Sequence, residues 1–356
     1  MGFRSSGPVG LGVRLGALAA IAVALIAVVA TTASAHSSSP AAGKYVLGLS
    51  NTLAGNSWRE RMVCAFKAEA LASGEVKSVR ISHRNTDTAG QIADIRALIS
   101  AGVNALVINP SSPTALIPIA KQAIARGIRV VFVDQYVNAP GAYNATNDQV
   151  AYGRLGAEWL FKKLHGRGNV VEMRGIAGAP ADTDRHKGFQ QALKKYPNIK
   201  VVKSVFTGWV FAPGGKQMLD ILNSGVKVDG VWTSGIDYTV VNAFKTAGKK
   251  LVPIVGADNN AFVGQLKKLY PSLQGAAVTN PATIGGVGVT VALRALDGKS
   301  VPRWVKLKPS VWTWPAQKTL INRYYSPRLP PGTSVQAIVK PWTTYTLPQL
   351  TKCKGP

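Results

Sequence analysis

From Lys44 to Asp258 the chain repeats one unit, and the repeat leaves few folds open. A short β-rich run is followed by polar residues and then by an amphipathic stretch with helical spacing. YVLGLSN ends at Asn51 and precedes a helical segment over Ser57–Leu71, with Ser57 and Glu60 in capping-box spacing. A run at Val76–Ser82 leads to a segment carrying Ile92, Ile95, Leu98 and Ile99, and NALVIN leads to one through Ile119 and Ala123. IRVVFVD, ending at Asp134, closes this first set. VNAPGAYNATND reads as a linker, after which the pattern restarts. Helices are expected from about Gln149 to Leu164, Asp184 to Tyr196 and Pro213 to Asn223, with a fourth ending at Ala247. They alternate with NVVEMRG, KVVKSVFT, DGVWTSG and LVPIVGAD. Parallel neighbours need a crossover connection, and the helices supply it, so the pattern predicts α/β architecture with parallel, doubly wound sheets.

Two similar halves in tandem predict two lobes rather than one long sheet. The first is expected to hold residues 36–146 plus about 281–308, and the second residues 147–280. The Pro- and Trp-rich stretch from Gly298 reads as a return across a hinge followed by a tail, residues 309–356, laid over one lobe. Neither half carries G-x-G-x-x-G or a P-loop; Gly175-Ile176-Ala177-Gly178 is only a turn-like fragment.

The first 35 residues belong to a different argument. Arg4 and Arg14 precede an apolar run from Leu15 to Ala30, and Ala33-Ser34-Ala35 fits a small-residue cleavage site, so this stretch reads as a secretory leader. A permanent membrane anchor is the competing reading, but the run is at the short end for a span. An exported mature chain beginning near His36 is expected, in the periplasm or outside the envelope, with a flexible lead-in to Ala42. There are two cysteines, Cys64 and Cys353, too few for a disulfide scaffold. In an oxidising compartment they either pair or stand as two thiols, and the sequence leaves both open.

The formal charge of +26 invites a nucleic-acid reading. Against it, the lysines and arginines are dispersed, no DNA- or RNA-binding signature is present, and export removes the chain from intracellular nucleic acid. A solvated basic surface facing anionic envelope polymers is the more economical account.

In open α/β sheets ligands bind beyond the carboxyl ends of the strands. The residues expected there are Asn56 and Trp58, Asn109 and Ser111, and Asp134 and Gln135 in the first half. In the second they are Asp182 and Arg185, Trp209, Ser234 and Asp237, Asp258 with Asn259 and Asn260, and Thr279 with Asn280. The set suits a sugar: carboxylates accept from hydroxyls, Arg donates in a planar fork, Asn does both, and two indoles can stack on C–H faces. Each residue also has a plainer role. Asn56 and Asn109 suit turns and caps, Asp134 and Asp258 suit helix N-caps, Trp209 suits a core, and Arg185 could pair with Asp182 or Asp184 on a solvated helix. Their shared position at strand ends favours a site.

The stretches GLSNTLAGNSWRERM, ALVINPSSPTAL, VVFVDQ, MRGIAGAPADTDRHKGFQQAL and PIVGADNN resemble the ribose-type periplasmic sugar-binding proteins, receptors of ABC importers. The resemblance runs from about Lys44 to Leu296. It implies two Rossmann-like lobes of the type I periplasmic-binding-protein kind, hinged and closing on one monosaccharide or polyol, with a membrane permease as partner. By matching position it assigns ligand contact to Asn56, Trp58, Asn109, Asp134, Arg185, Trp209 and Asp258. The chain departs from the family at Gln135, at Thr233-Ser234 and at Thr279 with Asn280 adjacent, which leaves the sugar's identity open and Arg185 as the main guanidinium of the pocket.

The expected function is therefore solute capture by a monomer without cofactor, metal or nucleic acid. A ligand receptor feeding a sensor or chemotaxis protein would look the same in sequence. A sugar-responsive repressor would need a DNA-binding head before Lys44. An enzyme is disfavoured: His83, His165 and His186 lack metal-ligand spacing, and there is no G-x-S-x-G elbow.

Overall fold

The computed structural model describes residues 43–356, and the leader expected over residues 1–35 lies outside them. The first set of elements runs β1 (Tyr45–Asn51), α1 (Ser57–Ala72), β2 (Val76–His83), α2 (Thr88–Ser100), β3 (Ala105–Ile108), α3 (Ile117–Ala125), β4 (Arg129–Asp134) and β5 (Tyr143–Asn147). The second runs α4 (Gln149–Lys163), β6 (Arg167–Arg174), α5 (Pro180–Leu193), β7 (Asn198–Phe206), α6 (Phe211–Asn223), β8 (Gly230–Thr233), α7 (Asp237–Thr246), β9 (Ile254–Ala257), α8 (Asn260–Lys268) and β10 (Gly275–Val278). The chain finishes with α9 (Ile284–Leu296), β11 (Trp304–Leu307), β12 (Val311–Thr313), α10 (Lys318–Tyr324) and α11 (Leu347–Lys352).

The strands form two sheets, ordered β11-β5-β4-β3-β1-β2 and β12-β10-β9-β8-β6-β7. All pairs are parallel except β10 with β12. Side chains alternate across each strand, so each sheet feeds two cores. In the first lobe Val107, Val131 and Val133 pack with α1 and α9, while Leu106, Ile108, Val130 and Phe132 face α2 and α3. In the second, Val171, Val231 and Ile254 meet α6, α7 and α8, while Val170, Trp232 and Val255 meet α4 and α5. Burial on both faces explains the near-continuous Val and Ile runs of the central strands.

The chain passes between the lobes at Asn147–Gln149, at Val278–Ile284 and at Leu307–Val311. It then does so a fourth time in the tail. Val335 lies in the core of the second lobe, whereas Ala337, Tyr345 and Leu350 pack with Ala65 and Ala68 of α1. A disulfide between Cys64 and Cys353 fastens the end of the tail to α1.

Three local expectations are corrected. Five of the twelve residues of the presumed linker form strand β5, paired with both β4 and β11. Asn144 and Asn147 are of a type depleted in strands, and they hid it. Asn144 instead ties down the preceding loop, accepting from the Val137 amide and donating to its carbonyl. The cap of α1 is Asn56, one residue before the expected Ser57. Its side chain accepts from the amides of Trp58 and Arg59, and Glu60 accepts from the Gly55 amide. Helix α5 begins at Pro180, four residues before the expected Asp184, because Pro is well suited to the first turn.

Helices α4 and α5 approach closely because glycine lies on both. A Cβ on Gly153 would stand 1.9 Å from the Arg185 carbonyl oxygen, and one on Gly188 would stand 2.0 Å from that of Val150. Overpacking of this kind costs about 1–3 kcal/mol. Gly153→Ala is expected to lower the urea midpoint accordingly, and wild-type stability would show that the two helices separate freely.

Candidate functional site

The carboxyl ends of both sheets face one cleft, so the polar residues that follow the strands converge there. Asp134 ends β4 in the left-handed backbone region, φ 68°, which is uncommon outside glycine but tolerated by Asp. One of its oxygens accepts from Asn147 Nδ2 at 3.1 Å and from Gln149 Nε2 at 2.8 Å. The Gln149 oxygen accepts from Arg185 Nε at 2.8 Å, and Arg185 Nη1 donates to both the carbonyl and the hydroxyl of Ser234 at 3.0 Å. Arg185 is buried, 4.2 Å from the Tyr152 ring centroid, so the reading of a solvated helical arginine is set aside. Asp182 binds Arg174 and the Gly175 amide instead.

Arg59, on the first turn of α1, is a second buried guanidinium in the wall. It donates to Asn51 Oδ1 at 2.8 Å. Burial pulls its pKa down to about 10 while the Asp134 charge opposes the fall, so it stays protonated at neutral pH. The expectation of Arg185 as the main guanidinium is thus corrected to a pair.

Trp58 donates from its indole to the Asn280 carbonyl at 2.7 Å. Asn56, besides capping α1, donates across the cleft to the Trp209 carbonyl at 3.4 Å. Trp209 has φ 56°, and its indole donates to the Ser234 hydroxyl. The ring packs against Gly175, where a Cβ would come within 2.1 Å of it. Asp258 is fully occupied from one side. It accepts from the amides of Asn280 and Gln336 and from the Ser334 hydroxyl. Burial raises its pKa, and these three hydrogen bonds oppose the rise.

Nine of the sixteen residues expected at the strand ends line the cavity: Asn56, Trp58, Asp134, Arg185, Trp209, Ser234, Asp258, Asn259 and Asn280; Ser111, Asp182, Asp237, Asn260 and Thr279 do not. Counted with its open mouth, the space enclosed by this wall is about 620 Å³. Asn109 and Gln135 stand one layer behind. Gln135 donates to Asn109 Oδ1 and to the Pro110 carbonyl, and accepts from the Ala181 amide, which ties the first lobe to the start of α5. Leu53, Arg59, Phe211, Gly332 and Ser334 also line the cavity and were not singled out from the sequence. Arg59 was within reach, since it adjoins Trp58; Ser334, deep in an aperiodic tail, carries no such signal. Among the described residues no cluster of His, Cys, Asp and Glu is placed to hold a metal ion.

The wall therefore offers two guanidiniums against two carboxylates, with amides, hydroxyls and one indole from each lobe. That arrangement fits an uncharged, hydroxyl-rich molecule with an apolar face. Gln149 holds it together by joining Asp134 of one lobe to Arg185 of the other. Gln149→Leu would leave Asp134 with only Asn147 and Arg185 Nε without a partner, and a loss of about 1–3 kcal/mol in denaturant unfolding is expected. Unchanged stability would show that the bridge is replaceable.

The periplasmic binding protein domain family matches residues 47–300. The xylitol-binding protein of Mycolicibacterium smegmatis is 33% identical over 178 residues, covering 49% of this chain and 51% of that protein. The chain thus aligns with about half the length of that relative. The galactofuranose-binding protein YtfQ of Escherichia coli is 29% identical over 227 residues, covering 61% of this chain and 71% of that one. A solved ABC transporter solute binding protein from Thermobispora bispora superimposes with a TM-score of 0.70 at 27% identity, over 82% of this chain and 100% of that one. Its two parallel-sheet lobes and a family match over the greater part of its length agree: the chain belongs to the periplasmic binding protein domain family.

Proposed function

We propose that the protein is an extracytoplasmic solute-binding protein that captures a neutral monosaccharide or polyol in the interlobe cleft and delivers it to an ABC-type permease. The observation that carries this reading is the composition of the cleft wall. Trp58 and Trp209 come from different lobes, and the charges of Arg59 and Arg185 balance those of Asp134 and Asp258. Relatives named for xylitol and galactofuranose, and a structural neighbour named as a solute-binding protein, support the substrate class and the partner. The expected leader supports export. Capture requires only that the ligand bind the closed lobes better than the open ones. The proposed activity is binding, with no chemistry on the ligand.

The test is a thermal-shift series with the mature chain against xylitol, D-ribose, L-arabinose, D-galactose, myo-inositol and amino acids. A ligand at a hundred times its dissociation constant adds about 2.7 kcal/mol, a shift of several degrees. The expected result is a shift with a sugar or polyol that disappears in Trp58→Ala and in Asp134→Ala. No shift with any of them, in protein shown to be ligand-free, overturns the reading.

A further inference from the structure

The matched family region ends at residue 300, yet a later segment of the chain forms part of the cleft wall. The tail is laid along the second lobe by backbone and side-chain bonds. Asn260 donates from its side chain to the carbonyls of Ser326 and Leu329, at 2.8 and 3.0 Å, and its amide donates to the Thr333 carbonyl at 2.8 Å. The Val335 amide then donates to the Asp258 carbonyl at 2.9 Å. Gly332 passes between the lips of the cleft: a Cβ there would lie 2.6 Å from the Phe211 ring and 2.9 Å from Ser57 Oγ. Ser57 opens α1 on one lobe and Phe211 opens α6 on the other. Beyond the crossing, the buried carboxylate of Glu69 accepts from the Thr344 amide and hydroxyl, both at 2.8 Å, and Cys353 is bonded to Cys64.

We propose that Ser334, held in place by this anchored strap, contacts the ligand and sets which hydroxyl pattern the cleft accepts; the inference rests on the solute-binding reading above. The chemistry follows from counting lone pairs. The Ser334 hydroxyl gives its one hydrogen to Asp258 Oδ2 at 3.0 Å and accepts from the Ala282 amide at 3.3 Å. A hydroxyl has two acceptor sites, so one remains. Asp258 already accepts three hydrogen bonds from the protein, so one of its roughly four acceptor sites remains. Between them Ser334 and Asp258 offer the ligand acceptor sites and no free donor. A ligand presenting a donating hydroxyl there gains a hydrogen bond that an analogue lacking it does not. The strap thus adds a selection step that the two lobes alone do not make.

The experiment is titration calorimetry on the full mature chain with xylitol, D-ribose, L-arabinose, D-galactose and myo-inositol, together with the deoxy analogues of whichever binds most tightly. Ser334→Ala is expected to weaken the best ligand about tenfold and to narrow the gap between that ligand and one of its deoxy analogues. Ser334→Thr, which keeps the hydroxyl, is expected to restore both. Melting of each unliganded variant reports folding separately. Should Ser334→Ala fail to fold, Cys64→Ala with Cys353→Ala frees the strap's end instead, and faster dissociation with weaker binding is expected. Wild-type affinity and ranking in the folded variants overturn the assignment of Ser334 while leaving the solute-binding reading intact. If the wild type binds none of these compounds, that reading fails, and the role of Ser334 falls with it.

Discussion

A guanidinium taken out of water needs hydrogen-bond partners, and this requirement organises the centre of the molecule. Arg185 finds them for Nε in Gln149 and for Nη1 in Ser234, and Gln149 in turn binds Asp134 at the end of the opposite sheet. Those bonds fix where α4 begins, and the glycine contacts of α4 fix where α5 lies. They also fix which face of the second lobe turns toward the first. The polar wall is therefore not decoration on a finished scaffold. The same atoms that give the cleft its chemistry also hold the first crossing between the lobes, so changes here should be felt in both stability and binding.

Much of the architecture was legible because periodicity reports burial directly. Val107 beside Ile108, and Val133 beside Phe132, each feed opposite faces of one sheet, and such runs have few other uses. Strand β5 was not legible: its partners β4 and β11 make it a strand despite Asn144 and Asn147. The site was legible in so far as it sits where strands end, which is how Trp58, Asp134, Arg185 and Asp258 came to attention. It failed for residues whose role depends on a distant neighbour. Gln149 looks like an ordinary first-turn residue until Asp134 and Arg185 are placed on either side. Ser334 owes its position to Asp258, seventy-six residues away in sequence, and no local pattern encodes such a separation.

The strong positive charge takes on a clearer meaning in the folded chain. Acidic residues are scarce, 16 in all, and Glu69, Asp134, Glu172, Asp182, Asp237 and Asp258 are buried in internal networks. Among the described basic residues, only Arg59, Arg61 and Arg185 are similarly enclosed. Folding therefore withdraws negative charge from the surface more than positive, and the exterior is more basic than composition alone suggests. The cleft, by contrast, is balanced. A neutral solute entering it meets no net charge, while anionic material outside meets a predominantly positive surface.

The bond between Cys64 and Cys353 closes nearly the whole described chain into a covalent ring, its two cysteines 289 positions apart. A ring does not fall apart when it is cut once. A protease that nicked a surface loop anywhere between those two residues would leave two peptides still joined through the disulfide, and both lobes still tethered to each other. For a chain expected to work outside the cell, a single cleavage would then open the backbone without separating its halves.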